Sequence, residues 1–141
     1  MTTTLKNARS TSTRTLEVIQ KTLASHKVRQ IVFDYDAKGR VRSIDFSIDI
    51  NGEPYPFRLP ARVENVEKIL YGSYPSPAQK EQAYRTAWAN IRDWIAAQLA
   101  LIDTGMVKPE EVFLPYLVSK QGHTLYEEMA QSQFLLPSPE R

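Results

Sequence analysis

Ile44-Asp45-Phe46-Ser47-Ile48-Asp49-Ile50-Asn51-Gly52-Glu53-Pro54-Tyr55-Pro56-Phe57-Arg58-Leu59 is the stretch that decides the fold class. Ile44, Phe46, Ile48 and Ile50 alternate with polar residues, as do Tyr55, Phe57 and Leu59. Period-two alternation puts one apolar and one polar face on each of two strands. Asn51-Gly52 between them favours a type I′ turn, because both central residues need positive φ. Working upstream, Ile31, Phe33 and Tyr35 alternate as well, and Asp36-Ala37-Lys38-Gly39 reads as a tight turn. Three successive strands with one apolar face make an antiparallel meander that needs a helical cover. Pro54 and Pro56 cannot donate to a ladder, which places the third strand at an edge.

The cover follows downstream. Ser76-Pro77-Ala78-Gln79 is a helix start, with Ser as N-cap, Pro at the first helical position and Gln at the capping-box position. The helix is expected to run to about Asp103, roughly 40 Å, with Gly105 as its stop. Tyr84, Ala87, Trp88, Ile91, Ile95, Leu99 and Ile102 form its apolar stripe, and Trp94 and Ala97 widen it. Shorter helices are read from about Thr13 to His26 (Leu16, Ile19, Leu23), after Pro60 (Val63, Val66, Leu70), at Pro109 and at Thr124-Leu125-Tyr126-Glu127. The expected fold is therefore α+β: a three-stranded antiparallel β-meander packed against a long helix in the C-terminal half, with shorter flanking helices. Residues 1–12 read as a flexible tail, 13–136 as a single domain and 137–141 as a frayed end.

Composition narrows the classes. A chain of 141 residues, 42% hydrophobic, can bury roughly two-thirds of its unfolded surface without a metal or disulfide staple. It has no cysteine, which excludes disulfide frameworks, thiolate metal sites and cysteine nucleophiles. No apolar run approaches membrane-spanning length, and the threonine-rich start carries no hydrophobic segment. Net charge is only +2, but residues 1–33 hold six Lys/Arg against Glu17, and residues 103–141 hold six acids against three bases. Such polarity suits a polyanion or head-to-tail pairing as well as an ordinary solvated surface.

No catalytic constellation stands out. Asp34, Asp36, Asp45 and Asp49 fall on the polar side of the strands, where acids could hold Mg²⁺ or Mn²⁺ or simply decorate the sheet. No metal ligand set and no cofactor is assigned. His26 and His123 are far apart in sequence, and the five glycines are isolated, which rules out a phosphate-cradling glycine loop. Arginines carry more weight, because the guanidinium fork suits phosphate or carboxylate. Arg58, Arg62, Arg85 and Arg92 are the ligand-binding candidates, with Tyr35 and Tyr55 as stacking groups for a base. The competing reading is salt bridging along the helix, for example Arg85 with Glu81 and Arg92 with neighbouring acids. Trp88 and Trp94 lie about 120° apart on one helix at 100° per residue. Either residues 112–118 fold back to cover the second apolar side, or a second copy does. Trp88, Trp94, Phe113 and Tyr116 are the interface candidates for a homodimer.

The blocks Asp34-Tyr35-Asp36, Pro56-Phe57-Arg58-Leu59-Pro60, Ala87-Trp88, Asp93-Trp94-Ile95-Ala96-Ala97-Gln98-Leu99-Ala100, Glu111-Val112-Phe113-Leu114-Pro115-Tyr116 and Thr124-Leu125-Tyr126-Glu127 occur in that order over about residues 16–127. Together they resemble uncharacterised small proteins of tailed bacteriophages and prophages. The resemblance implies a bacterial host cytoplasm and a non-enzymatic binding role, such as counter-defence by binding a host factor or nucleotide signal. Its alternatives are a nucleic-acid-binding accessory of phage DNA metabolism and a small metal-dependent hydrolase. Partners are expected among host proteins, nucleotides or nucleic acid, and the lack of a long apolar run leads to the expectation of no membrane partner. The element order is also similar to that of double-stranded RNA-binding domains. Their phosphate-binding lysine cluster corresponds here to a mixed, nearly neutral segment, residues 60–68, so that likeness is topological.

Overall fold

The computed structural model describes residues 12–134, and its architecture is α+β. Helix α1 (Ser12–Ala24) leads into strands β1 (Arg29–Tyr35), β2 (Val41–Ile50) and β3 (Glu53–Pro60). Helices α2 (Val63–Tyr71), α3 (Pro77–Asp103), α4 (Pro109–Phe113) and α5 (Leu125–Gln131) follow, with a 3₁₀ turn at Leu114–Tyr116. The tail read over residues 1–12 and the frayed end over 137–141 lie outside the described residues, except that Ser12 opens α1.

The strands form one antiparallel sheet in the order β1-β2-β3. Asn51 and Gly52 have φ of 54° and 85°, so the β2–β3 connection is the two-residue turn that the dipeptide predicts, flanked by the pair Ile50↔Glu53. β3 is an edge strand, yet its rim is partly occupied. Phe57 bridges to Leu117, and the Val118 N–H donates to the Pro56 carbonyl at 2.9 Å. A short strip of chain thus lies along the side of the sheet where two prolines have already removed donors.

The Ile/Phe face of the sheet meets α1 and α3. Ile19, Leu23, Ile44, Phe57, Trp88, Ile95 and Phe113 are the buried anchors of one continuous core. Phe113 stands at its centre, edge-on to Phe46 at 5.4 Å and to Trp94 at 5.9 Å between ring centroids. The two tryptophans divide the work as their angular offset requires. Trp88 is fully buried toward the sheet, whereas Trp94 packs against Phe113 and Tyr116 of the returning segment.

Helix α3 starts as its sequence dictates. The Ser76 hydroxyl accepts from the Gln79 N–H at 3.2 Å, and the Gln79 side-chain oxygen accepts from the Ser76 N–H at 2.9 Å. Two to three turns further on, α3 completes the sheet itself. β2 outruns β3 at Val41, and two side chains of α3 satisfy its main chain there. The Val41 N–H donates to the Tyr84 hydroxyl at 2.9 Å, and the Trp88 indole N–H donates to the Val41 carbonyl at 3.2 Å. Left unpaired in the core, each of these groups would cost about 1–3 kcal/mol. No described helix is long and apolar enough to cross a membrane.

Candidate binding site

A cleft of about 310 Å³ opens where the β1–β2 turn, the start of α2 and the first turns of α3 converge. Its lining carries five cations (Lys38, Arg40, Arg42, Arg62 and Lys80) against three carboxylates (Asp36, Glu64 and Glu67). Each wall has a local cause. Asp36 organises the turn: its carboxylate accepts from the N–H groups of Lys38 at 2.8 Å and Arg40 at 3.0 Å. Gly39 takes φ of 81° at the bend. The Arg40 N–H leads the influences that hold the Asp36 carboxyl below its usual range, which keeps it anionic and committed to the turn.

Arg40 is held from two sides, by Glu81 at 3.1 Å and by the face of the Tyr84 ring at 5.1 Å. Burial pushes the Tyr84 hydroxyl above its ordinary pKa, so it stays neutral as it accepts from Val41. Arg62 precedes α2 in a left-handed conformation, φ 49°, with its guanidinium 5.7 Å from the Tyr126 ring. Lys38 and Lys80 have no ion-pair partner among the described residues. Beside the cleft, and sharing Arg40, Val41 and Tyr84 with it, lies a groove of about 410 Å³ that contains Tyr35, whose side is 56% exposed.

The six ligand candidates from the sequence do not converge. Arg62 lines the cleft, and Tyr35 lines the adjoining groove. Arg58 lies on the open face of the sheet, paired with Asp45 at 3.2 Å and donating to the Gly122 carbonyl at 2.8 Å. Arg85 pairs with Glu81 at 3.6 Å and donates to Gln82. Arg92 pairs with its neighbour Asp93 at 3.0 Å. Those two follow the salt-bridging alternative. Tyr55 borders a small apolar groove with Ile50, Leu114 and Leu117. Lys38, Arg40, Arg42 and Lys80 were missed. The signal for three of them was the run Lys38-Gly39-Arg40-Val41-Arg42, which crowds cations into a hairpin turn.

The sheet acids are also placed. Asp34 pairs with Arg42 at 2.7 Å, Asp45 with Arg58, and Asp49 with Arg29 at 3.8 Å. Strand register brings these partners together, since Val32, Asp45 and Arg58 share one row, and two rows on Asp34 lies opposite Ser43, the neighbour of Arg42. Among the described residues, no three His, Cys, Asp or Glu side chains are grouped to hold a metal ion. The histidines find carboxylates that sequence spacing could not show: His26 meets Asp103 at 2.9 Å, and His123 lies 3.4 Å from Glu128. Of the interface candidates, Trp88 and Phe113 are fully buried within the chain, while Trp94 and Tyr116 keep partial exposure.

The cleft can therefore receive an anion. Two ammonium groups and a guanidinium line it without a carboxylate partner among the described residues, and Arg40 is already fixed by stacking and ion pairing. Comparison with protein-family models, curated proteins and solved structures gave no match.

Proposed function

We propose that this protein is a binding protein for a phosphate-bearing ligand of nucleotide type, held in the cleft among the β1–β2 turn, α2 and α3. One observation carries the reading: Lys38, Lys80 and Arg62 line a cleft with more cations than carboxylates and form no ion pair among the described residues. Phosphate oxygens supply the missing acceptors. Tyr35 in the adjoining groove gives a base a face to stack on, a contact worth about 1–3 kcal/mol in nucleic-acid complexes. The reading is binding without turnover. Asp36 is engaged by two main-chain N–H groups, and both histidines lie outside the cleft. In the setting that the phage resemblance implies, a bacterial host cytoplasm, such a cleft would sequester a nucleotide signal.

The test is calorimetric titration with ATP, inorganic pyrophosphate and a short single-stranded oligonucleotide, each at low and raised salt. ATP is expected to bind with one-to-one stoichiometry. Lys38→Glu combined with Lys80→Glu should weaken it at least tenfold without loss of helical circular dichroism. Preference for the oligonucleotide, with a steep loss of affinity as salt rises, selects the nucleic-acid reading instead. No heat with any of the three at low salt overturns the assignment.

A further inference from the structure

A second cavity lies at the other end of α3, and none of the cations assigned to the nucleotide cleft lines it. It measures about 810 Å³ and opens between the end of α1, the start of β1 and the last turn of α3. Its volume is within the range of sites that enclose a small organic molecule. The lining is divided in kind. Val28, Ile48, Leu99 and Ile102 give it an apolar floor, while His26, Lys27, Arg29, Asp49 and Asp103 stand around its mouth.

The charges at the mouth leave a single positive excess when His26 is protonated, and the geometry favours that form. The His26 Nδ1 lies 2.8 Å from the Thr22 carbonyl, and Nε2 lies 2.9 Å from the Asp103 carboxylate. Both ring nitrogens thus face acceptors, with the Thr22 carbonyl the larger influence in raising the imidazole pKa. Arg29 lies 3.8 Å from Asp49. Lys27 remains, and among the described residues no carboxylate pairs with it.

The main chain at Lys27 offers a way to test its role. Its φ is 66°, the left-handed conformation that a residue with a β-carbon adopts only at a cost. The position directly follows the last turn of α1, where glycine is the usual occupant. A lysine here keeps a strained backbone and places an unpartnered ammonium group beside the apolar floor. The conformation closes α1, with the Val28 N–H donating to the Leu23 carbonyl at 3.4 Å, so a glycine can take the same place in the chain.

We propose that this cavity binds an amphipathic monocarboxylate, its hydrocarbon body on Val28, Ile48, Leu99 and Ile102 and its carboxylate on Lys27. The body packs along the apolar lining of the cavity, and the head group neutralises the surplus charge. A dianionic or polyphosphate ligand fits less well, because Asp49 and Asp103 share the mouth.

Dodecanoate, kept below its micelle concentration, is the probe, followed by calorimetry and by displacement of a fluorescent anilinonaphthalene sulfonate. Wild-type protein should bind one molecule. Lys27→Gly relieves the left-handed strain, so it should melt at a higher temperature and yet bind dodecanoate at least fivefold more weakly. Ile102→Asn, at the floor residue that is only partly buried, should weaken binding by a similar factor without altering ATP binding. A more stable Lys27→Gly variant that binds dodecanoate as well as wild type would overturn the proposal. So would wild-type binding that is absent, or that takes several molecules and ignores both substitutions. Because ATP and dodecanoate are measured separately, failure of either site leaves the other assignment standing.

Discussion

The open face of the sheet and the cleft at the start of α3 are both rich in charge, and they differ in how it is spent. On the sheet, Asp34, Asp45 and Asp49 each have an arginine within ion-pair distance, supplied by a neighbouring strand. In the cleft, Arg40 and Arg42 are paired, but among the described residues Lys38, Lys80 and Arg62 have no ion-pair partner. A surface that has balanced its own charges has little to offer an ion from solution. One that holds cations beside an excess of their own kind does. The count of arginines in a segment is therefore a poor guide to a site, and their pairing a good one.

Three measurements press on that contrast, the first by removing the wall that both regions share. Trp88 fastens α3 to β2 with a buried ring and an indole hydrogen bond. Trp88→Ala should lower the unfolding free energy by about 3–5 kcal/mol in urea titration, and the loss should extend to the cleft, since Tyr84 sits one turn away on the same helix. A much smaller loss would mean that the sheet and cleft are held by other contacts.

The second measurement separates the two surfaces directly. Arg58 and Asp45 are partly exposed, so Arg58→Ala should cost about 0.5–1 kcal/mol of stability and leave ATP affinity within twofold. Lys80→Ala should do the reverse, weakening ATP binding severalfold while shifting stability by less than about 0.5 kcal/mol. If both substitutions moved affinity equally, the pairing argument would fail.

The third effect is the smallest and concerns pH. The His26 pKa is raised in the folded protein, first by the Thr22 carbonyl and then by Asp103. A raised folded-state pKa contributes stability that is complete below about pH 6.5, the unfolded value, and is lost as pH climbs through the folded one. A cation at the end of a helix contributes on the order of 0.5 kcal/mol. Thermal melts should show wild-type stability falling from pH 5.5 to pH 8 more than that of His26→Gln. Parallel curves would remove His26 as the cause.

Much of the framework was legible because its determinants are local. Asn51-Gly52 specifies its own turn, Ser76 to Gln79 its own cap, and the Ile/Phe alternation its own buried face. The edge position of β3 followed from Pro54 and Pro56, which need no partner to be understood. The site was less legible because pairing is a matter of register and packing. Asp34 meets Arg42 only once β1 and β2 are aligned, and bulges in that pairing shift the phase twice. Arg62 reaches the cleft because α2 packs on α3, while Arg58, four residues earlier, is turned to the open sheet. His26 and Asp103 lie 77 positions apart, too far for any spacing rule to join them.

The strip at Leu117 and Val118 has a consequence for the chain while it is being made. The three strands emerge from the ribosome before that strip exists, so for a time the outer rim of β3 has no cover. An uncovered rim is the usual starting point for pairing between chains. Pro54 and Pro56 remove two donors from that rim, so the nascent meander carries its own deterrent against aggregation. Leu117 and Val118 then arrive as a late seal on an edge that has already been made unattractive to other strands.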